Sequence, residues 1–175
     1  MQIPRKKHYR RSEQHVPKQH DPLHLAYMAG IIDGEGSITM GNYSFTAKKT
    51  PQFTTYLAIT TTDIALCEWL MNTFTGKFHK YTARQIPENS RRTPYRWQVT
   101  GNRLTDILSK TLPYLIIKKY QAEIMLKMRE TYNNRFYMRG KQGPSISKEL
   151  IAYRFSLAKE LRSCHIRNSS IKHDL

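Results

Sequence analysis

The stretch Met28-Ala29-Gly30-Ile31-Ile32-Asp33-Gly34-Glu35-Gly36 decides how this 175-residue chain is read. Just upstream, Asp21-Pro22 is a helix start, an aspartate able to accept from the first free N–H groups followed by proline at the first helical position. Leu25, Met28, Ala29 and Ile32 then recur at helical spacing, and Asp33-Gly34-Glu35-Gly36 ends the helix with two glycines that tolerate backbone angles other residues resist. Ala29 and Gly30 thin one side of this helix, so a second helix can approach it closely.

Outward from it, Ser37 to Ala47 and Phe53 to Thr61 are rich in Thr, Ile, Tyr and Phe and are separated by Lys48-Lys49-Thr50-Pro51, which predicts a hairpin. Thr62-Asp63 caps a second helix with Leu66, Trp69, Leu70 and Phe74 on its apolar face and Gly76 as its stop. The pattern then repeats. Lys77 to Arg84 and Tyr95 to Thr100 form a second hairpin, the latter alternating Tyr95, Trp97 and Val99 with Arg96, Gln98 and Thr100, the period of a half-buried strand. Helices are expected at Asn102 to Leu112, ended by Pro113, at Ile117 to about Tyr132 and at Ser147 to about Ser163.

The order α-ββ-α-ββ-α-α-α implies an α+β fold, an antiparallel sheet with one face under helices and an open saddle lined by Ser, Thr, Lys, Arg, Gln and Tyr. The C-terminal helix, with Leu150, Ile151, Tyr153, Phe155, Leu157 and Leu161 on its apolar stripe, should brace the sheet from behind, leaving Arg154, Lys159, Arg162 and Arg167 to meet flanking phosphates.

Twenty-nine Lys and Arg against 13 Asp and Glu give a net charge of +16, which implies a polyanionic partner. Nucleic acid is favoured over a membrane because the charge is spread along the chain rather than set on one amphipathic helix, and no apolar run approaches the ~20 residues needed to span a bilayer. From Gly36 to Thr62 there is no acidic residue, and from Trp69 to Thr105 only Glu88. A twisted two-stranded ribbon fits the major groove of double-stranded DNA, where Tyr43, Lys48, Lys49, Lys77, Lys80, Arg84, Arg91, Arg92, Arg96 and Gln98 are the candidate readers. Residues 1–20, with Arg5, Lys6, Lys7, Arg10, Arg11 and Lys18, read as a flexible basic arm: a follower of the DNA backbone, a nonspecific solubilising tail or a nuclear address. Residues 21–175 read as one domain. The N-terminus lacks the apolar stretch of a secretory signal, so the chain is expected to be soluble and not exported. Cys67 and Cys164, with no CxxC pair, suggest neither a zinc site nor a disulfide framework.

With a polyanion as partner, Glu35 at the bottom of the first helix gains a chemical meaning. Beside its counterpart on a partner helix, and with phosphate oxygens as further ligands, it would hold a hard divalent cation such as Mg²⁺, which phosphodiester hydrolysis needs to activate water and neutralise the crowded phosphate.

The quoted stretch resembles the LAGLIDADG motif of homing endonucleases, with conservative changes at several positions. Leu25-Ala26-Tyr27 before it, Gly36-Ser37-Ile38 after it, the two hairpins, and Leu112-Pro113-Tyr114-Leu115-Ile116-Ile117-Lys118-Lys119-Tyr120-Gln121-Ala122 match that family's pattern over roughly Pro22 to Met128. The resemblance implies a Mg²⁺-dependent, site-specific DNA endonuclease, encoded with an intron, that cuts both strands. With a single motif it implies a homodimer and a roughly palindromic target. It places Glu35 at the metal-binding acidic position, helped by the Gly34 carbonyl, and Asp33 at the other acidic position, where a structural role at the helix end competes with catalysis. Ala29, Gly30 and Asp33 fall on the dimer interface. Lys118 matches a basic residue near the scissile phosphates, and Gln121 a polar neighbour. Thr61 and Ala65 stand where a glutamine and an arginine often follow the second strand; Thr61 could still hold a water, while nothing identifies a substitute for the arginine. Relatives also include RNA maturases that help their own intron RNA to splice, and a DNA-binding regulator that has lost cleavage is a further alternative.

Overall fold

The structure, a computed structural model, describes residues 20–43, 52–82, 92–133 and 147–167. The basic arm before His20, the strand end Ser44–Ala47, and the candidate readers Lys48, Lys49, Arg84 and Arg91 lie outside the described residues, and Tyr43 is described through its backbone alone.

The helix α1 (Pro22–Glu35) starts where the sequence requires, with Asp21 Oδ1 accepting the Leu23 N–H at 2.8 Å and Pro22 in the first turn. It passes directly into β1 (Gly36–Tyr43). A Cβ at Gly36 would lie 2.6 Å from the Ile32 carbonyl oxygen, so only glycine lets the strand leave this close to the helix end. After β2 (Gln52–Thr61), Asp63 caps α2 (Ile64–Phe74) through the Ala65 N–H at 2.8 Å. The helix ends at Thr75 and Gly76, both at positive φ, with Gly76 at +132° against the Trp97 indole. β3 (Lys77–Lys80) is shorter than expected, while β4 (Tyr95–Thr100) matches its expected span. There follow α3 (Gly101–Thr111), a 3-10 turn at Leu112–Tyr114, α4 (Lys119–Asn133) and α5 (Lys148–Arg167).

The four strands form one antiparallel sheet in the order β1-β2-β4-β3. Strand alternation divides its residues between two faces. Ile38, Met40, Phe53, Leu57, Ile59, Trp97 and Val99 are buried beneath the helices, where they join Met28, Ala29 and Ile32 of α1 and Leu104, Ile107, Ile124 and Met128 of α3 and α4. Trp97 satisfies its indole N–H by donating to the Thr75 carbonyl at 2.6 Å. At roughly 1.5–3 kcal/mol for each large side chain taken from water, this cluster is what holds helices to sheet.

The helix α5 packs on α4 and β1, as expected of a brace, but one of its cations is used differently. Arg154, expected among residues meeting phosphates, is 2% exposed. Its guanidinium donates to Thr131 Oγ1 at 2.9 Å and to the Thr131 carbonyl at 2.8 Å, and lies 4.2 Å over the Tyr132 ring. It thereby closes the C-terminal turn of α4, whose last carbonyls lack helical donors and whose partial negative charge suits a cation. Among the described residues no helix is long and apolar enough to cross a membrane.

Candidate functional site

Two features built by different elements lie together: the C-terminal end of α1 and the open face of the sheet. At the helix end, Glu35 is exposed, and its carboxylate accepts no hydrogen bond from a described residue. Asp33 behaves otherwise. Its two carboxylate oxygens accept the backbone N–H groups of Ile116 and Lys118, both at 2.8 Å, so it holds the turn that leads into α4. This is the structural role at the helix end. Asp33 faces its own chain rather than standing on an open interface.

Lys118 returns the connection. Its Nζ donates to the Ile32 and Asp33 carbonyls, each at 2.9 Å, which places a cation on the negative end of α1 beside the Glu35 carboxylate. Burial pushes the pKa of this ammonium down from the usual lysine value, and Asp33 and Glu35 only partly restore it. Gln121, one turn into α4, is 4% exposed, and its Oε1 has no hydrogen-bond partner among the described residues. Thr61 Oγ1 accepts the Asp63 N–H at 3.0 Å and shapes the turn into α2.

Ala29 corrects a further expectation. Instead of thinning an outward side, it is fully buried in the core of its own chain. The exposed side of α1 carries Leu23, Ala26, Tyr27, Gly30 and Gly34, with Leu23 76% and Tyr27 58% exposed, and Ile116 and Ile117 are exposed at 86% and 65%. A Cβ built at Gly30 or Gly34 would meet nothing within 4 Å, and neither residue has positive φ. In the helix interior Gly30 costs up to about 1 kcal/mol relative to alanine. Among the described residues nothing accounts for that cost, in contrast to Gly36.

On the sheet, cross-strand partners share a face. The pairs Thr60↔Arg96, Ala58↔Gln98 and Tyr56↔Thr100, continued by Gln98↔Lys77 and Arg96↔His79, place Arg96, Gln98 and Lys77 on the open side together with Ser37, Thr39 and Thr54. Lys80 pairs with Tyr95 at the end of β3, so strand alternation alone sets its Cβ toward the helix side, yet the residue lines the same cavity as Arg96 and Gln98. Arg92 is exposed just before β4. None of the four strands contains an acidic residue.

Arg96 is the best fixed of these side chains. It lies 5.2 Å over the Tyr56 ring and lines a shallow cavity with His79, Lys80, Tyr81 and Gln98. Burial, which opposes its charge, is outweighed by the hydroxyls of Tyr81 and Tyr56, which push its pKa up. Its Nε is buried without a hydrogen-bond partner among the described residues. His79, Tyr56 and Tyr81 were missed from sequence. The alternation of β4 named Arg96 and Gln98, but only the β3–β4 register shows which residues of β3 stand beside them.

No family model matches the sequence, and no curated protein does. Among solved structures, the homing endonuclease I-CvuI in complex with its target superposes with a TM-score of 0.64 at 19% identity, over 82% of each chain. The archaeal intron-encoded homing endonuclease I-Vdi141I complexed with DNA gives 0.63 at 18% identity, over 81% of this chain and 84% of that one. The fold is that of the LAGLIDADG homing endonucleases. A third such structure, the LAGLIDADG homing endonuclease I-GzeII in complex with its DNA target, matches 82% of this chain but only 44% of its own, with a TM-score of 0.56 and 20% identity. One copy of the LAGLIDADG fold as it stands here therefore corresponds to less than half of that chain.

Proposed function

We propose that the chain is a site-specific DNA endonuclease that works as a homodimer with Mg²⁺, cutting both strands of a long, roughly palindromic duplex. The observation that carries this reading is the end of α1: an exposed carboxylate with no hydrogen-bond donor among the described residues, on a helix whose exposed side is apolar and thinned by two glycines, next to an acid-free sheet face.

A second copy docked through α1 would cover Leu23, Tyr27, Ile116 and Ile117 and would give Gly30 and Gly34 their use, a close approach of backbones. It would also set two Glu35 carboxylates side by side. The donor chemistry fits a hard cation, since Glu35 and the carbonyl end of α1 offer oxygen only. Among the described residues no cluster of three metal-ligating side chains exists, and in the dimer the second Glu35 and phosphate oxygens would complete the ligand set. When bound, Mg²⁺ supplies an activated water and neutralises phosphate charge.

The chain's own groups do the remaining work. Lys118 holds positive charge at the carbonyl end of α1, where the scissile phosphate would lie close to Glu35. Gln121 offers a buried acceptor in the same layer. The sheet lies along the major groove, where Arg96 and Gln98 carry the donors and acceptors that distinguish base pairs and Lys77 and Arg92 meet backbone or base. That solved structures of this fold were obtained with DNA supports the assignment of the saddle.

The test is incubation of the purified protein with a duplex that joins the sequences flanking its host intron, in Mg²⁺ and separately in EDTA. A single Mg²⁺-dependent double-strand cut is expected. Tight, specific binding without a cut in any divalent metal would overturn the endonuclease reading and favour a maturase acting on its intron RNA, or a regulator.

A further inference from the structure

β4 ends at Thr100, paired with Tyr56, and Gly101, at φ +65°, turns the chain into α3. β2 reaches beyond that pair through Gln52–Thr55, so one corner of the sheet is left open. A cavity of about 400 Å³ occupies it, lined by Thr54, Tyr56, Gln98, Thr100, Gly101 and Arg129. Thr54, Tyr56, Gln98 and Thr100 belong to the open face, so the cavity is continuous with the saddle.

Arg129 reaches this corner from α4, behind the sheet. Its Nε donates to Thr105 Oγ1 at 3.3 Å, and its guanidinium carbon lies 5.2 Å from the Tyr132 ring, over which the Arg154 guanidinium also lies at 4.2 Å. Two cations thus share one aromatic ring. Burial pushes the pKa of Arg129 down, a measure of water already withdrawn, yet an arginine stays charged. No described carboxylate pairs with it. A half-buried cation whose described partners are all neutral is electrostatically incomplete among them, and its terminal nitrogens form the planar fork that phosphate oxygens match.

We propose that this corner is a phosphate-binding site, in which Arg129 takes one phosphodiester of the DNA backbone at the rim of the saddle, with the Thr100 hydroxyl as a second donor. The inference rests on the DNA-binding reading above and adds to it a contact outside the base-reading strands, made by a helix of the opposite layer. A contact of this kind fixes the register of the duplex without reading sequence.

The experiment measures binding of the full-length protein to a random-sequence duplex across a salt series, which needs no knowledge of the target. For the parent protein, log Kd against log salt has a slope set by the phosphates neutralised, about 0.9 for each. Arg129→Gln should lower that slope by about 0.9 per chain, about 1.8 for a dimer, and Arg129→Lys should restore most of it. Thr100→Asp supplies the same test at an exposed residue that starts α3 without a side-chain cap bond. Aspartate favours that position, so the fold is kept while a carboxylate claims Arg129, and the slope should again fall. Folded variants with unchanged slopes overturn the proposal. So does inorganic phosphate that raises the melting temperature of the parent but not of Arg129→Gln while the DNA slopes stay equal, because the site would then serve a free anion. A parent protein that does not bind duplex DNA in Mg²⁺ or Ca²⁺ refutes the functional reading itself, and the proposal with it.

Discussion

Replacing Gly30 by leucine separates the stability of the chain from the stability of its assembly. Within one chain the substitution meets open space, because a Cβ at residue 30 has no neighbour within 4 Å and the backbone is ordinary helix. Removing a helix-interior glycine should then raise the unfolding free energy of the isolated chain, by up to about 1 kcal/mol for alanine and slightly less for leucine. Across the two-fold axis of the proposed dimer the sign should reverse. A leucine inserted between helices that glycine allows to touch is an overpacking change of about 1–3 kcal/mol per copy. Two copies weaken a dimer by about 2–6 kcal/mol, roughly thirtyfold to ten-thousandfold in dissociation constant. Sedimentation equilibrium reads the second effect. Urea unfolding at concentrations below dissociation reads the first, and cleavage should fall with the fraction of dimer. A Gly30→Leu protein that self-associates as tightly as its parent would refute the docking of α1 on α1.

Glu35→Gln should abolish Mg²⁺-dependent cutting while duplex binding in Ca²⁺ stays within a few-fold of the parent, since the loss falls on the reacting centre; gel shift and cleavage on one DNA check both. Arg154→Ala should cost about 3 kcal/mol in denaturant unfolding, because the Thr131 hydroxyl and carbonyl lose buried donors together with the packing on Tyr132. Cys67 is fully buried, and burial, with a smaller contribution from Asp63, raises its thiol pKa above the usual 9.0. The unfolded chain therefore loses this proton first, and the thiol's contribution to stability, complete below pH 9, falls as pH rises through the folded value. Cys67→Ala should flatten the alkaline side of the stability profile, and in the folded parent a thiol reagent at pH 8.5 should label the half-buried Cys164 before Cys67.

The elements were legible because each carries its own punctuation. Asp21-Pro22 and Asp63 make the caps their types suggest, and the alternation of β4 separates Trp97 and Val99 from Arg96 and Gln98 as the fold does. What stayed hidden depends on contacts distant in sequence. The helix α1 is apolar on both sides, so its pattern does not say which side the sheet takes, and Ala29 was assigned outward when Gly30 and Gly34 hold that place. The face of Lys80 follows from the β3–β4 pairing, which no residue of β3 announces by itself. Arg154 reads as an ordinary surface cation until the end of α4 is set against it. At the site, Glu35 and Lys118 were named from a motif, but the hold of Lys118 on the carbonyls of α1 spans 86 residues and needed the fold.

That hold, with the answering bonds from Asp33, works in both directions across two segments far apart in the chain. Asp33 fixes where Lys118 begins its helix, and Lys118 fixes where the helix of Asp33 ends. Neither position is free to change alone: an exchange at 33 releases the backbone at 118, and an exchange at 118 uncovers the carbonyls at 32 and 33. Exchanges at 33 and 118 made together should therefore not cost the sum of each made alone, marking as one energetic unit two stretches that a linear reading keeps apart.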